Sequence, residues 1–110
     1  MAENFAFSIA SSEDDGRLLV VPRGELDLAT APELERVLLD RLEEGRAIVL
    51  DLRELEFMDS SGVRVLIAAH AKADEGQGQL TLVRPAPGSA VDRILEIAGV
   101  DQALGMVDEL

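Results

Sequence analysis

The sequence predicts an α/β fold, with a mixed, mostly parallel sheet of about five strands and amphipathic helices packed on it. Strand-like and helix-like segments alternate along most of the chain, in the order that gives parallel strands joined by right-handed crossovers. Residues 47–52 are largely apolar on both faces, as expected of a central strand covered by helices. No repeat or low-complexity linker interrupts this order, so residues 1–110 are expected to form one domain.

The chain is expected to begin with a hairpin. Residues 5–10 alternate apolar with small or polar side chains, which is the period-two pattern of a half-buried strand. Residues 11–16 have the composition of a turn. Residues 18–21 then form an apolar second strand, which is expected to end at Pro22 and Gly24.

A first helix is predicted after the short loop formed by residues 24–27, Gly-Glu-Leu-Asp. Thr30 is expected to cap this helix, and Pro32 is expected to lie in its first turn. Gly45 is the signal for its end. Its apolar stripe, at helical spacing, consists of Leu34, Val37, Leu38 and Leu42.

The remaining elements follow the same alternation. A second helix is expected to run to about Asp74, and residues 79–84 form the next strand. A third amphipathic helix is expected to be capped by Ser89 and closed by Gly99. A last short strand is predicted over residues 103–107.

Composition and charge narrow the class of protein. The 110 residues contain no cysteine, which excludes disulfides, thiolate metal sites and cysteine nucleophiles. The first residues lack a basic leader, and no stretch approaches the roughly 18–20 apolar residues that span a bilayer, so a soluble, cytoplasmic protein is expected. A formal net charge of −12 opposes direct binding to nucleic acid or to an anionic membrane surface.

The stretch with the clearest functional signal is residues 57–63, Phe-Met-Asp-Ser-Ser-Gly-Val. Asp59, Ser60 and Ser61 are helix-capping residues, and an apolar pattern at helical spacing follows them. No Glu or Gln stands three residues after either serine, so no capping box forms and the Ser60 hydroxyl is left without a structural task. The start of a helix also favours added negative charge, so a phosphate is tolerated there.

Catalytic interpretations fit the sequence poorly. A Ser-His hydrolase would need Ser60 beside His70, but ten residues of helix separate them by roughly 15 Å. A receiver domain phosphorylated on Asp51 would need an acidic pair after the first strand and a lysine near the last strand, whereas Lys72 lies in a helix. The glycine-rich nucleotide-binding motifs are absent. We therefore expect no enzymatic activity, no cofactor and no metal site.

Three segments together resemble the STAS domain of bacterial anti-sigma-factor antagonists. They are Gly-Glu-Leu-Asp at residues 24–27, Ile-Val-Leu-Asp-Leu at 48–52 and Phe-Met-Asp-Ser-Ser-Gly at 57–62. The resemblance covers nearly the whole chain, and the last segment is its most specific part. It implies a STAS-type fold and a protein that acts by binding.

The resemblance also implies a phosphorylation switch. The unphosphorylated protein would bind an anti-sigma factor that is a serine kinase, which frees the sigma factor and so regulates transcription. That kinase would phosphorylate the first serine after the aspartate, Ser60, with Ser61 as the second choice, and a serine phosphatase would remove the phosphate. The same match implies partner-binding roles for Asp27, Asp59 and Gly62, and Ser61 is expected to share in the interface. The bulky Arg64, two residues after Gly62, departs from the family pattern and is expected to affect which kinase is recognised.

One alternative from another class stays open at this level. The chain would then be a STAS adaptor that is never phosphorylated, a subunit of a transporter or of a larger signalling complex. Such a module would keep its partner affinity after treatment with kinase and ATP. The residues carry no signal for the oligomeric state.

Overall fold

The computed structural model describes residues 7–109 and confirms an α/β fold with a five-stranded mixed sheet and three helices. The elements, in chain order, are β1 (Ser8–Asp14), β2 (Arg17–Leu26), α1 (Ala31–Glu43), β3 (Ala47–Asp51), β4 (Leu55–Met58), α2 (Ser60–Asp74), β5 (Gln79–Val83) and α3 (Ala90–Ala98). Phe5, which the alternation places in the first strand, lies outside the described residues.

The sheet is built around β2 and β3. Its strand order is β1-β2-β3-β5, with β1 antiparallel to β2 and the other neighbours parallel. The short strand β4 pairs in parallel with the carboxyl-terminal end of β2, beyond the segment of β2 that pairs with β3. The carboxyl ends of β2 and β4 therefore lie side by side, directly before α1 and α2.

One continuous hydrophobic core holds the helices on the sheet. The α1 and α2 helices pack against each other, and α3 packs against β4. Of the predicted α1 stripe, Leu34, Leu38 and Leu42 are buried in the core, because one face of a helix repeats every three or four residues. Val37 was also predicted there, but it is only half-buried and Ala31 takes the fourth core position. The largest fully buried side chains include Leu26, Leu34, Leu38, Leu42, Leu50, Met58, Leu66 and Leu95.

The hairpin is longer than predicted at both strands. β1 continues to Asp14, so the turn consists of Asp15 and Gly16 alone. β2 does not end at Pro22 but runs to Leu26. Pro22 is tolerated because it falls between the part of β2 paired with β3 and the part paired with β4, where no parallel neighbour uses its missing N–H.

Two further strand predictions were wrong. Residues 24–26 are part of β2 and only Asp27 lies in the loop, because a bulge between Gly24 and Glu25 lets β2 continue and pair with β4, a strand that was not predicted. The last strand, over residues 103–107, is absent; residues 101–105 form turns and Val107 makes a single parallel bridge with Val83. Gly105 has a φ of 60°, which is incompatible with an extended strand.

Both predicted ends of α3 are confirmed. Ser89 caps this helix, its hydroxyl accepting from the Asp92 N–H at 3.2 Å. Gly99 closes it in the left-handed conformation that glycine adopts without steric cost. Among residues 7–109, no helix is long and apolar enough to cross a bilayer.

Candidate functional site

Residues 59–62, Asp-Ser-Ser-Gly, lie where β2 and β4 end together. Leu26 and Met58 are opposite each other in the parallel pairing, and the Asp59 N–H donates to the Leu26 carbonyl at 3.1 Å. Asp27 directly follows β2 and Asp59 directly follows β4, so the backbones of the two aspartates are neighbours. Asp27 therefore emerges on the same sheet edge as Asp59 and the two serines.

Asp59, rather than either serine, is the N-cap of α2. Its Oδ1 accepts the Ser61 N–H at 2.8 Å, and its backbone carbonyl accepts the N–H groups of Gly62 and Val63 at 3.0 and 3.3 Å. Ser60 is the first residue of the helix and is exposed. Within residues 7–109 its hydroxyl has no hydrogen-bond partner, as the missing capping box predicted.

The two serines of this entrance differ in access. Ser60 is exposed, whereas Ser61 is half-buried and lines a groove between α1 and α2. The Ser60 hydroxyl is therefore the more accessible of the two to a second protein.

Gly62 is buried and has a packing role. A Cβ at this position would lie 2.6 Å from the Met58 Cγ and 2.8 Å from the Leu26 Cδ2. Both of those side chains are fully buried, so neither can move aside at low cost. The glycine lets α2 begin directly against β2 and β4, which fixes the position of Ser60.

Asp27 organises the entrance of α1. Its Oδ1 accepts the N–H groups of Ala29 at 3.0 Å and Thr30 at 3.2 Å. Thr30 was predicted to be the N-cap, and although it directly precedes the helix, its hydroxyl does not cap it. That hydroxyl instead accepts the Asp27 N–H at 2.9 Å and donates to the Glu25 carbonyl at 2.8 Å, because the bulge brings that carbonyl within reach.

Both aspartates keep one carboxylate oxygen unused. In the part of the chain that the structure describes, no donor bonds to Oδ2 of Asp27 or of Asp59. Both residues are half-buried, and no unpaired polar side-chain atom is cut off from solvent there. At the sheet edge where α2 begins, both carboxylates thus keep an oxygen free to accept from a partner.

Asp51 lies at the carboxyl end of β3 but is closed to chemistry. Its Oδ1 accepts from the backbone N–H and the Nε of Arg53 at 3.0 and 2.9 Å, and its Oδ2 accepts from Arg53 Nη2 at 2.9 Å. These bonds hold the pKa of Asp51 below its usual value, against the opposite effect of burial. Sequence analysis missed Arg53, although an arginine two residues after a buried aspartate is a usable signal.

The other candidate groups lie away from the serine. His70 is half-buried in the third turn of α2, and the Lys72 amino group lies 3.3 Å from the Glu43 carboxylate. Among residues 7–109, no group of three or more histidine or acidic side chains is arranged to hold a metal ion. Arg64 lies one turn along α2 from Ser60, exposed, at the groove that Ser61 also lines.

Known proteins resemble this chain in sequence and in fold. The family model described as Mlab, STAS domain matches residues 9–108. BtrV of Bordetella bronchiseptica is 34% identical over 86 residues, which are 77% of this chain and 72% of BtrV. The anti-sigma-B factor antagonist of Listeria monocytogenes is 28% identical over 102 residues, which are 92% of this chain and 87% of that protein.

A solved structure gives the same result. The crystal structure of an anti-sigma factor antagonist from Mycobacterium paratuberculosis matches with a TM-score of 0.83 at 27% identity, covering 100% of this chain and 92% of that one. The fold and the serine loop define the protein as a STAS domain. The chain belongs to the STAS-domain family of anti-sigma factor antagonists, as its resemblance predicted. The Listeria and Mycobacterium relatives are named for antagonism of anti-sigma factors and not for a reaction.

Proposed function

We propose that the unphosphorylated protein binds an anti-sigma factor that is also a serine kinase, and that a phosphate on Ser60 weakens this complex. The observation that carries the proposal is the Ser60 hydroxyl, which is exposed, unbonded within the described residues and placed at the start of α2. The names of the relatives supply the kind of partner. Because such a kinase uses ATP, the proposal includes a cytoplasmic location for the protein.

The transfer is a balanced phosphoryl exchange. The Ser60 oxygen attacks the γ-phosphorus of ATP, the bond from that phosphorus to the bridging oxygen of ADP breaks, and the serine proton passes to the kinase or to solvent. A serine phosphatase reverses the state by adding water across the phosphoserine bond, which releases inorganic phosphate. Nothing in this chain has to catalyse either step.

Charge explains why the modified protein is released. A phosphate adds about −1.5 to −2 charge at neutral pH, and it arrives beside the carboxylates of Asp27 and Asp59. The start of α2 offsets part of this charge, so the fold persists while the docking surface becomes repulsive. Each 1.4 kcal/mol of repulsion or lost contact weakens binding about tenfold. About 3 kcal/mol therefore lowers the affinity roughly a hundredfold, which is enough for release.

The other predicted partner positions have distinct parts in this proposal. Asp27 and Asp59 offer their free oxygens to basic groups of the kinase, and Ser61 and Arg64 line the adjoining groove. Gly62 acts indirectly, because it is buried and sets the position of the loop.

The first test is intact-mass spectrometry of the protein recovered from its own cells, with peptide mapping across residues 51–64. We expect a fraction of molecules with one phosphate, located on Ser60. A phosphate located on Ser61 instead would reassign the acceptor. Absence of phosphate under every growth condition would contradict the switch and support the adaptor alternative.

The second test compares variants against the kinase in a calorimetric titration. Ser60→Ala should bind as tightly as the wild type and accept no phosphate, and Ser60→Asp should bind at least tenfold more weakly. Ser61→Ala is the control and should still be phosphorylated. Equal affinity of Ser60→Ala and Ser60→Asp would rule out the switch.

A further inference from the structure

A groove of about 260 Å³ lies between the entrances of α1 and α2, next to the switch loop. We call it the α1–α2 groove; it is lined by Leu28, Ala31, Pro32, Glu35, Ser61, Arg64 and Val65. Its volume is below the roughly 300–1,000 Å³ of pockets that enclose small ligands. The groove therefore has the size for side chains of a partner protein and not for a cofactor.

The lining of the α1–α2 groove is mixed, with polar groups of Glu35, Ser61 and Arg64 beside apolar ones, and one apolar residue stands exposed at its lip. Leu28 follows Asp27 directly and is 77% exposed, far more than the other leucines of the described chain. A single exposed leucine needs no explanation, but one at the lip of a groove adds apolar surface that a partner can cover. Binding at Leu28 needs little further ordering of the backbone, because the hydrogen bonds of Asp27 and Thr30 already hold its loop.

Charge indicates what accompanies the apolar contact. Glu35 on α1 and Arg64 on α2 both line the groove, and neither forms an ion pair within residues 7–109. The surroundings are acidic, with free carboxylate oxygens on Asp27 and Asp59 and a formal charge of −12 on the whole chain. Complementary potentials steer association and set register, so a basic group of the occupant fits beside Glu35 and away from Arg64.

We propose that the α1–α2 groove receives a segment of the anti-sigma factor in which an apolar side chain is next to a lysine or arginine. The apolar side chain packs between Leu28 and Val65, and the basic one pairs with Glu35. This inference rests on the proposed function, and it assigns the groove as the part of the interface that selects the partner. Ser61 lines both the groove and the switch loop, so the two contacts are continuous.

The test uses the kinase that phosphorylates this protein on Ser60, purified and titrated calorimetrically against variants. Leu28→Asp should weaken binding at least tenfold while unfolding as the wild type does. Ile97→Asp is the matched control, since Ile97 is an apolar residue of α3 that is 80% exposed and lies outside the groove. It should change affinity by less than threefold.

A second pair of variants tests the charge. Glu35→Lys should weaken binding about fivefold or more, and replacing the paired basic residue of the kinase by glutamate should recover most of the loss. Glu96→Lys, an equal charge change at an exposed position of α3, is the control.

The results separate the two proposals. If Ser60→Asp weakens binding while both groove variants bind within threefold of the wild type, the groove assignment is overturned and the proposed switch stands. If Leu28→Asp weakens binding but Ser60→Ala and Ser60→Asp bind equally, the switch fails and the groove assignment stands. If Leu28→Asp changes the sedimentation of the protein alone and leaves kinase affinity intact, the groove joins two copies of this chain and the assignment is overturned.

Discussion

At the entrance of α1 the carboxylate of Asp27 accepts backbone N–H groups, and at the entrance of α2 the carboxylate of Asp59 does the same. The hydroxyl residues beside them differ. The Thr30 hydroxyl bonds to the backbone of Asp27 and Glu25, whereas the Ser60 hydroxyl has no hydrogen-bond partner among the described residues. In both places the aspartate builds the turn, and in α2 alone this leaves a hydroxyl available for modification.

Asp51 is the third aspartate at a strand end with the same local bond, since its Oδ1 also accepts the N–H two residues ahead. Arg53 then occupies the rest of its carboxylate. The same local hydrogen bond thus occurs in three settings. Asp51 is paired with Arg53, the hydroxyl near Asp27 is bonded within the protein, and the hydroxyl next to Asp59 is left free within the described residues. What distinguishes them is the neighbouring side chain, and the variants below test each difference.

The largest expected effect comes from Gly62. Gly62→Ala places a methyl group against Leu26 and Met58, and we expect a loss of about 3 kcal/mol in the free energy of unfolding. Glu33→Ala is the matched control, because Glu33 is the third residue of α1, as Gly62 is of α2, and is exposed. It should cost at most about 1 kcal/mol.

Urea unfolding followed by circular dichroism is the suitable measurement, since the chain has no tryptophan or tyrosine to report by fluorescence. Equal losses in the two variants would mean that α2 does not depend on close contact at this point. The two helix entrances would then be equivalent in packing, contrary to the structure.

Next in size is the pH dependence that Asp51 contributes. Its pKa is lowered in the folded state, so unfolding takes up a proton in the acid range and stability falls as the pH drops below about 4. Asp51→Asn should cost about 2 kcal/mol near neutral pH and progressively less in acid. A stability difference between the two proteins that does not change from pH 7 to pH 2 would show that the ion pair with Arg53 carries none of it.

Sequence patterns captured the helices because their determinants are local. The stripe of Leu34, Leu38 and Leu42 and the caps at Ser89 and Gly99 act within a few residues, and all appear in the structure. The unused hydroxyl of Ser60 was predictable for the same reason, since it follows from the absence of a capping-box partner.

The errors have nonlocal causes. Pro22 has the sequence signature of a strand end, and it is accommodated because β3 and β4 pair with different segments of β2, one before it and one after it. The hydroxyl of Thr30 looks like a cap, and it turns inward because a bulge presents the Glu25 carbonyl. The buried residues of β4 are its first and its last, and not every second residue. The alternation that marks a half-buried strand is therefore missing, and β4 was not predicted. The placement of Arg64 beside Glu35 depends on how α1 and α2 pack, which no segment encodes alone.

A smaller effect separates the two entrance aspartates. Asp27→Ala removes the acceptor of two backbone N–H groups, and we expect a loss of about 2 kcal/mol in the free energy of unfolding. Asp59→Ala removes the acceptor of one and should cost about 1 kcal/mol. Urea unfolding of both variants measures the difference, and a larger loss in Asp59→Ala would contradict the hydrogen bonding described for Asp27.

The smallest effects bear most directly on the switch. Thr30→Val keeps the shape of the side chain but removes a hydroxyl that accepts from Asp27 and donates to Glu25, so it should cost about 1 kcal/mol. Ser60→Ala removes a hydroxyl that bonds to nothing in the described chain and should change stability by less than about 0.5 kcal/mol. Thermal unfolding of both variants tests this. If Ser60→Ala loses as much as Thr30→Val, the serine has a structural task, and phosphate on it would disturb the fold and not the interface alone.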